Sequence, residues 1–103
     1  FEAKCLSESD VELVCPADVP DDIAAEVRRL AAAAFECLGC EGLARVDCFY
    51  TEDRRVIINE INTMPGFTPI SMYPRMWAET GVPYDELVDE LITLALERRV
   101  GLR

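Results

Sequence analysis

An α+β fold is predicted, an antiparallel β-sheet with helices packed on one face. Two observations predict it. Residues 23–38 and 87–95 repeat apolar side chains at steps of three and four, the period of an amphipathic helix. Between them, residues 43–50 and 55–61 are rich in β-branched and aromatic side chains and flank the polar stretch Thr51-Glu52-Asp53-Arg54, a connection of hairpin length. With 103 residues, half of them hydrophobic, the chain suffices for one small domain with a modest core.

Residues 1–20 read as irregular, with a short extended piece at Val11–Cys15 closed off by Pro16 and Pro20. The first helix follows, capped by Asp21 or Asp22. Its stripe of Ile23, Val27, Leu30, Ala31, Ala34, Phe35 and Leu38 ends at Gly39. After the hairpin, residues 62–72 are too polar and too punctuated by Pro and Gly for a strand. Met72–Glu79 reads as a short helix interrupted early by Pro74 and stopped at Gly81. Pro83 and Asp85 open the last helix, whose stripe of Leu87, Val88, Leu91, Ile92, Leu94 and Ala95 continues towards Gly101. Both stripes are expected to be core, and Met72, Met76 and Trp77 are expected to pack with them.

Composition narrows the function. A net charge of −10 with ten Lys and Arg argues against a nucleic-acid backbone as partner. No apolar run approaches the roughly 20 residues a bilayer requires, so no membrane partner is expected. No signal peptide is visible in the first residues, which begin at Phe1. Five cysteines, at 5, 15, 37, 40 and 48, are expected to be buried free thiols in a reducing, cytoplasmic compartment. Cys37-Leu38-Gly39-Cys40 has CxxC spacing, but it falls at a helix end without a second pair or any histidine. The lack of histidine also excludes, within this chain, nucleophile schemes that rely on an imidazole base.

The chemistry concentrates in Asn59–Thr68. Glu60 and Asn62 stand two apart on a strand and share a face, about 6–7 Å from each other. Arg45-Val46-Asp47 repeats that spacing with a cation and an acid. If the turn centres near Asp53 and Arg54, Asp47 lies almost opposite Glu60, about 4.5–5.5 Å away at Cβ. An uncompensated pair of facing acids is destabilising, and a divalent cation removes the repulsion. An isolated RxD or ExN ordinarily marks a solvated hairpin face. Here both occur and a Pro-Gly loop follows, in which Gly66 can bring its N–H close to a ligand. The oxygen-rich set suits magnesium bound to nucleotide phosphates.

With these motifs in place, the chain resembles the C-terminal portion of D-alanine–D-alanine ligases, members of the ATP-grasp superfamily. The run NEINTMPGFTPISMYP at residues 59–74 carries most of the likeness. Glu2-Ala3-Lys4 resembles the end of the family's mobile loop, Leu13–Ala17 the segment after it, and Gly42–Asp47 its penultimate strand. The resemblance implies that residues 1–103 are the C-terminal part of an ATP-grasp catalytic domain, the N-terminal and central domains lying outside the sequence.

It implies an enzyme that uses ATP to phosphorylate one D-alanine. The amine of a second then attacks the acyl phosphate, giving D-alanyl-D-alanine for peptidoglycan precursors. By the same resemblance Asp47, Glu60 and Asn62 are ligands of two magnesium ions, for which manganese can substitute, and Glu60 bridges the two. Arg45 and the Gly66 N–H face the developing oxyanion and phosphate. Ser71 receives the second substrate's carboxylate, and Lys4 reaches the transferred phosphate of ATP. The implied partners are D-alanine, ATP and the remainder of the ligase chain, with a homodimer for the complete enzyme. Cys5 stands where the pattern usually has tyrosine, which bears on the choice of acceptor. The alternatives are a D-alanine–D-lactate or D-alanine–D-serine ligase, or an inert cation-binding fragment.

Overall fold

The computed structural model describes residues 14–99. Lys4, Cys5, most of the expected Val11–Cys15 piece and Gly101 lie outside them. The elements are α1 (Asp21–Cys37), β1 (Arg45–Tyr50), β2 (Val56–Asn62), α2 (Met72–Glu79) and α3 (Tyr84–Glu97), so the expected α+β class holds with a two-stranded antiparallel sheet and three helices. Helix α1 lies against β2, and α3 packs against α2.

Two glycines end helices as expected. Gly39 has φ +66°, its N–H donates to the Glu36 carbonyl at 3.0 Å, and the Cys40 N–H donates to that of Phe35 at 3.0 Å. Gly81 has φ +100° and repeats the pattern on Ala78 and Trp77 at 3.0 and 2.9 Å. Both are two-bond helix stops that need a left-handed residue.

The helix starts differ from expectation. Pro20, not an aspartate, occupies the capping position of α1, with its carbonyl accepting the Ala24 N–H at 2.9 Å. Asp21 and Asp22 sit inside the first turn, where their charge complements the helix dipole. Pro74 does not interrupt α2. It is the third helical residue, at a position where an amide N–H has no partner within the helix. Helix α3 stops at Glu97, short of Gly101, because Arg98 turns to extended geometry at φ −66° and ψ 135°.

The hairpin closes through Glu52, Asp53 and Arg54. The Arg54 N–H donates to the Thr51 carbonyl at 3.0 Å, the Thr51 N–H to that of Arg55 at 2.9 Å, and Arg54 takes φ +64°. This is a three-residue loop whose last member is left-handed. It is symmetric about Asp53, so the ladder begins Tyr50↔Val56, Phe49↔Ile57, Cys48↔Ile58. A bulge then leaves Asn59 without a partner, and the ladder resumes as Asp47↔Glu60, Val46↔Ile61, Arg45↔Asn62. The half-buried Val46, Cys48, Val56, Ile58 and Ile61 thereby share one face of the ribbon, and the opposite face collects Arg45, Asp47, Glu60 and Asn62.

The core is smaller than the two stripes suggested. Ile23, Tyr73 and Leu87 are 5%, 7% and 4% exposed, and the rest of the α1 stripe is half-buried apart from Leu38. On α3 the stripe is covered only at its start, because Ile92, Leu94 and Ala95 are exposed. Met76 and Trp77 are also exposed, although Trp77 sets its ring edge-on to Tyr73 with centroids 6.5 Å apart. The expectation of buried thiols is corrected too. Cys15, Cys40 and Cys48 are half-buried and Cys37 is exposed, all four as free cysteines. Among the described residues no helix is long and apolar enough to cross a membrane.

Candidate functional site

The bulge decides which side chains meet at the open end of the hairpin. A regular ladder continued from the Asp53-centred turn would oppose Asp47 to Asn59 and Arg45 to Ile61. Absorbing Asn59 instead brings the two acids opposite each other, and Asn62 opposite Arg45. The expected Asp47–Glu60 pairing is therefore present, produced by a turn and a bulge together.

Arg45 occupies the centre of this cluster. Its Nε donates to Asp47 Oδ1 at 2.8 Å and its Nη2 to Asp47 Oδ2 at 2.9 Å, a bidentate fork, while Nη2 also reaches Glu60 Oε1 at 3.5 Å. The Asp47 hydrogen bonds hold the Arg45 pKa above its ordinary value, against a smaller opposing effect of burial. Repulsion between the acids is thus partly compensated within the chain. One guanidinium still faces two carboxylates. The side chains of Arg45, Asp47 and Glu60 are 26%, 34% and 47% exposed, which leaves the cluster open to a ligand.

Asn62 closes the strand locally. Its Oδ1 accepts the Met64 N–H at 2.9 Å, a turn that starts the following loop and leaves that oxygen a second lone pair. In the loop, Gly66 lies close against Ser71. A Cβ there would lie 3.2 Å from Ser71 Oγ, so the side this glycine leaves open faces Ser71. The Ser71 hydroxyl accepts the Thr68 N–H at 3.0 Å and lies 2.7 Å from the Thr68 hydroxyl, while the Ser71 N–H donates to the Thr68 carbonyl at 2.9 Å. Ser71 precedes α2 but does not cap it with its side chain.

The predicted residues therefore form two groups, Arg45 with Asp47, Glu60 and Asn62, and Gly66 with Ser71, joined through the Asn62 turn. Lys4 lies outside the described residues. Among the described residues no three His, Cys, Asp or Glu side chains are grouped to hold a metal. The available donor set is two carboxylates and an amide. It still fits a hard cation, because the donors are all oxygens, lie on paired strand positions and carry more negative charge than Arg45 balances.

Two features escaped the sequence reading. The Asn59 bulge has a signal in retrospect, since the covered positions of β2 step from Val56 to Ile58 and then by three to Ile61. The other is Tyr84, whose hydroxyl donates to the Phe67 carbonyl at 2.6 Å across seventeen residues. No local pattern foretells that contact.

Comparison with known proteins places the chain in a family. The family described as D-ala D-ala ligase C-terminus matches residues 1–93. A D-alanine–D-alanine ligase of Pseudarthrobacter chlorophenolicus is 63% identical over 103 residues, which is all of this chain and 27% of that protein, so the chain spans about a quarter of the relative's length. Among solved structures, the VanG D-Ala:D-Ser ligase of Enterococcus faecalis aligns with a TM-score of 0.78 and 36% identity, over 81% of this chain and 24% of that one. A Bacillus anthracis D-alanine–D-alanine ligase complexed with ATP aligns with a TM-score of 0.73 and 28% identity, over 79% and 28%. With the family matched over residues 1–93 and full-length coverage by a relative 63% identical, the chain belongs to the D-alanine–D-alanine ligase C-terminal family.

Proposed function

We propose that this chain supplies the cation-binding and acceptor-side half of the active site of an ATP-dependent D-alanine–D-alanine ligase, as the C-terminal part of an ATP-grasp catalytic domain. The observation that carries the reading is the pairing of Asp47 with Glu60 and of Arg45 with Asn62 on one open face of the hairpin. Phosphoryl transfer requires positioning and charge neutralisation more than covalent help, and this face offers both without a nucleophilic side chain.

Asp47, Glu60 and Asn62 would hold two magnesium ions, or manganese in their place, which when bound neutralise phosphate charge and orient the transferred group. Arg45, oriented by its fork on Asp47, would face the developing oxyanion and phosphate. The Gly66 N–H would donate to the same charge. Ser71 would donate its hydroxyl proton to the carboxylate of the second D-alanine, and Lys4 would reach the transferred phosphate. D-alanine, ATP and the remaining three-quarters of a chain of the relatives' length complete the assembly, with a homodimer and a cytoplasmic setting as the family expectation. The likeness to a D-Ala:D-Ser ligase favours one second reading, in which D-serine is the acceptor.

The test is a competition. A ligase of the relatives' length carrying this segment receives ATP with D-alanine, D-lactate and D-serine together, and the products are identified. D-Alanyl-D-alanine with ADP and phosphate is the expected result. A mixed D-Ala-D-Ser product supports the second reading, and ATP consumption without any ligated product rejects both.

A further inference from the structure

We propose that Tyr84 is a positioning residue for the acceptor carboxylate, acting on Ser71 through the single peptide group that joins Phe67 to Thr68. The proposal rests on the reading of Ser71 as an acceptor-side donor. The carbonyl of that peptide accepts the Tyr84 hydroxyl at 2.6 Å, and its N–H donates to Ser71 Oγ at 3.0 Å. A peptide group is planar and rigid, so a bond that fixes its carbonyl also fixes the direction of its N–H. A carbonyl that accepts a bond also polarises its own N–H into a stronger donor.

The surroundings make the clamp stiff. Tyr84 is the first residue of α3 and half-buried, and its ring lies 5.5 Å from that of Phe67 at an interplanar angle of 48°. Phe67 also packs on the buried ring of Tyr73, with centroids 5.8 Å apart. Helix α3 is thus tied to the loop by a ring contact and by a hydrogen bond that separate substitutions can distinguish. The consequence falls on the Ser71 proton. With Ser71 Oγ accepting from the Thr68 N–H, the hydroxyl proton is directed away from that amide. It can pass from the neighbouring Thr68 hydroxyl, 2.7 Å distant, to an incoming carboxylate.

Tyr84→Phe keeps the ring and removes the hydrogen bond. In a ligase of the relatives' length carrying this segment, the KM for the acceptor should rise about three- to tenfold, the scale of one lost neutral hydrogen bond. The kcat, the KM for ATP and the melting temperature should stay close to wild type. Ser71→Ala and the double variant are measured alongside. Because Tyr84 acts through Ser71, the double variant should be no worse than Ser71→Ala alone.

An acceptor KM unchanged in Tyr84→Phe, or two effects that simply multiply in the double variant, overturns the role of Tyr84 while leaving that of Ser71 intact. So does a rise in both KM values accompanied by a lower melting temperature, which marks a purely structural contact. If Ser71→Ala itself binds the acceptor like wild type, the acceptor reading of the loop fails, and the relay fails with it.

Discussion

At the tip of the hairpin Asp53 accepts a hydrogen bond from Thr51 and pairs with Arg55 at 2.8 Å, while at the open end Arg45 is shared between Asp47 and Glu60. The residue types are nearly the same. At the tip one acid meets one base, both side chains are more than 60% exposed, and the group closes a turn. Such exposed pairs contribute little to stability. At the open end one base meets two acids held opposite each other by the ladder, and Asn62 adds a third oxygen donor. What separates the two clusters is therefore stoichiometry and register, not composition.

The largest effect is expected from Glu60→Gln or Asp47→Asn in a ligase of the relatives' length. Each should lower turnover at least about a hundredfold if these acids hold the cations that neutralise the transferred phosphate, with the melting temperature little changed. Phosphate release at the wild-type rate would return these acids to the same class as Asp53. Next in size is Arg45→Lys, which keeps the charge but loses the two-pronged fork on Asp47. A fall in kcat of about tenfold or more is expected. Equal activity would mean that charge alone suffices there.

Gly66→Ala should have a smaller effect, a several-fold rise in acceptor KM, because the new Cβ meets Ser71 Oγ at 3.2 Å. The tip should respond least, and in stability only. Arg54→Gly relieves a left-handed residue at φ +64° but gives up the exposed ion pair of Arg54 with Asp22 at 2.8 Å, so a small net rise in melting temperature with unchanged activity is expected. The Thr51 hydroxyl, aided by the Arg55 guanidinium, holds the Asp53 carboxyl below the usual carboxylate range. Its contribution is fully present above the unfolded value of about 3.9 and is lost as pH falls through the lowered folded value. Asp53→Asn should therefore differ from wild type in thermal melts at neutral pH and converge with it in strong acid.

Much of the fold was legible in local signals. Gly39 and Gly81 stop helices because the left-handed residue each stop requires is chemically marked. The chemistry of the open face was legible too, since Arg45, Asp47, Glu60 and Asn62 sit at strand spacing. The Asp47–Glu60 register was reached with a turn centred half a residue late and without the bulge, two offsets that cancel. Position alone misled at Pro74, where the first turn of a helix tolerates proline, and at Asp21, where Pro20 had already taken the capping position. The Tyr84–Phe67 bond and the bare end of the α3 stripe depend on what is adjacent in space, and side-chain periodicity carries no record of that.

Divalent-cation binding at the open face of the hairpin, as proposed, depends on Glu60. Equilibrium titration with Mn²⁺ in the presence of a non-hydrolysable ATP analogue, on a ligase of the relatives' length and its Glu60→Gln variant, tests it most directly. Two ions per site in the wild type are expected, with binding weakened at least about tenfold in the variant while metal-free nucleotide binding is unchanged. Equal stoichiometry and affinity in the two proteins would contradict the account.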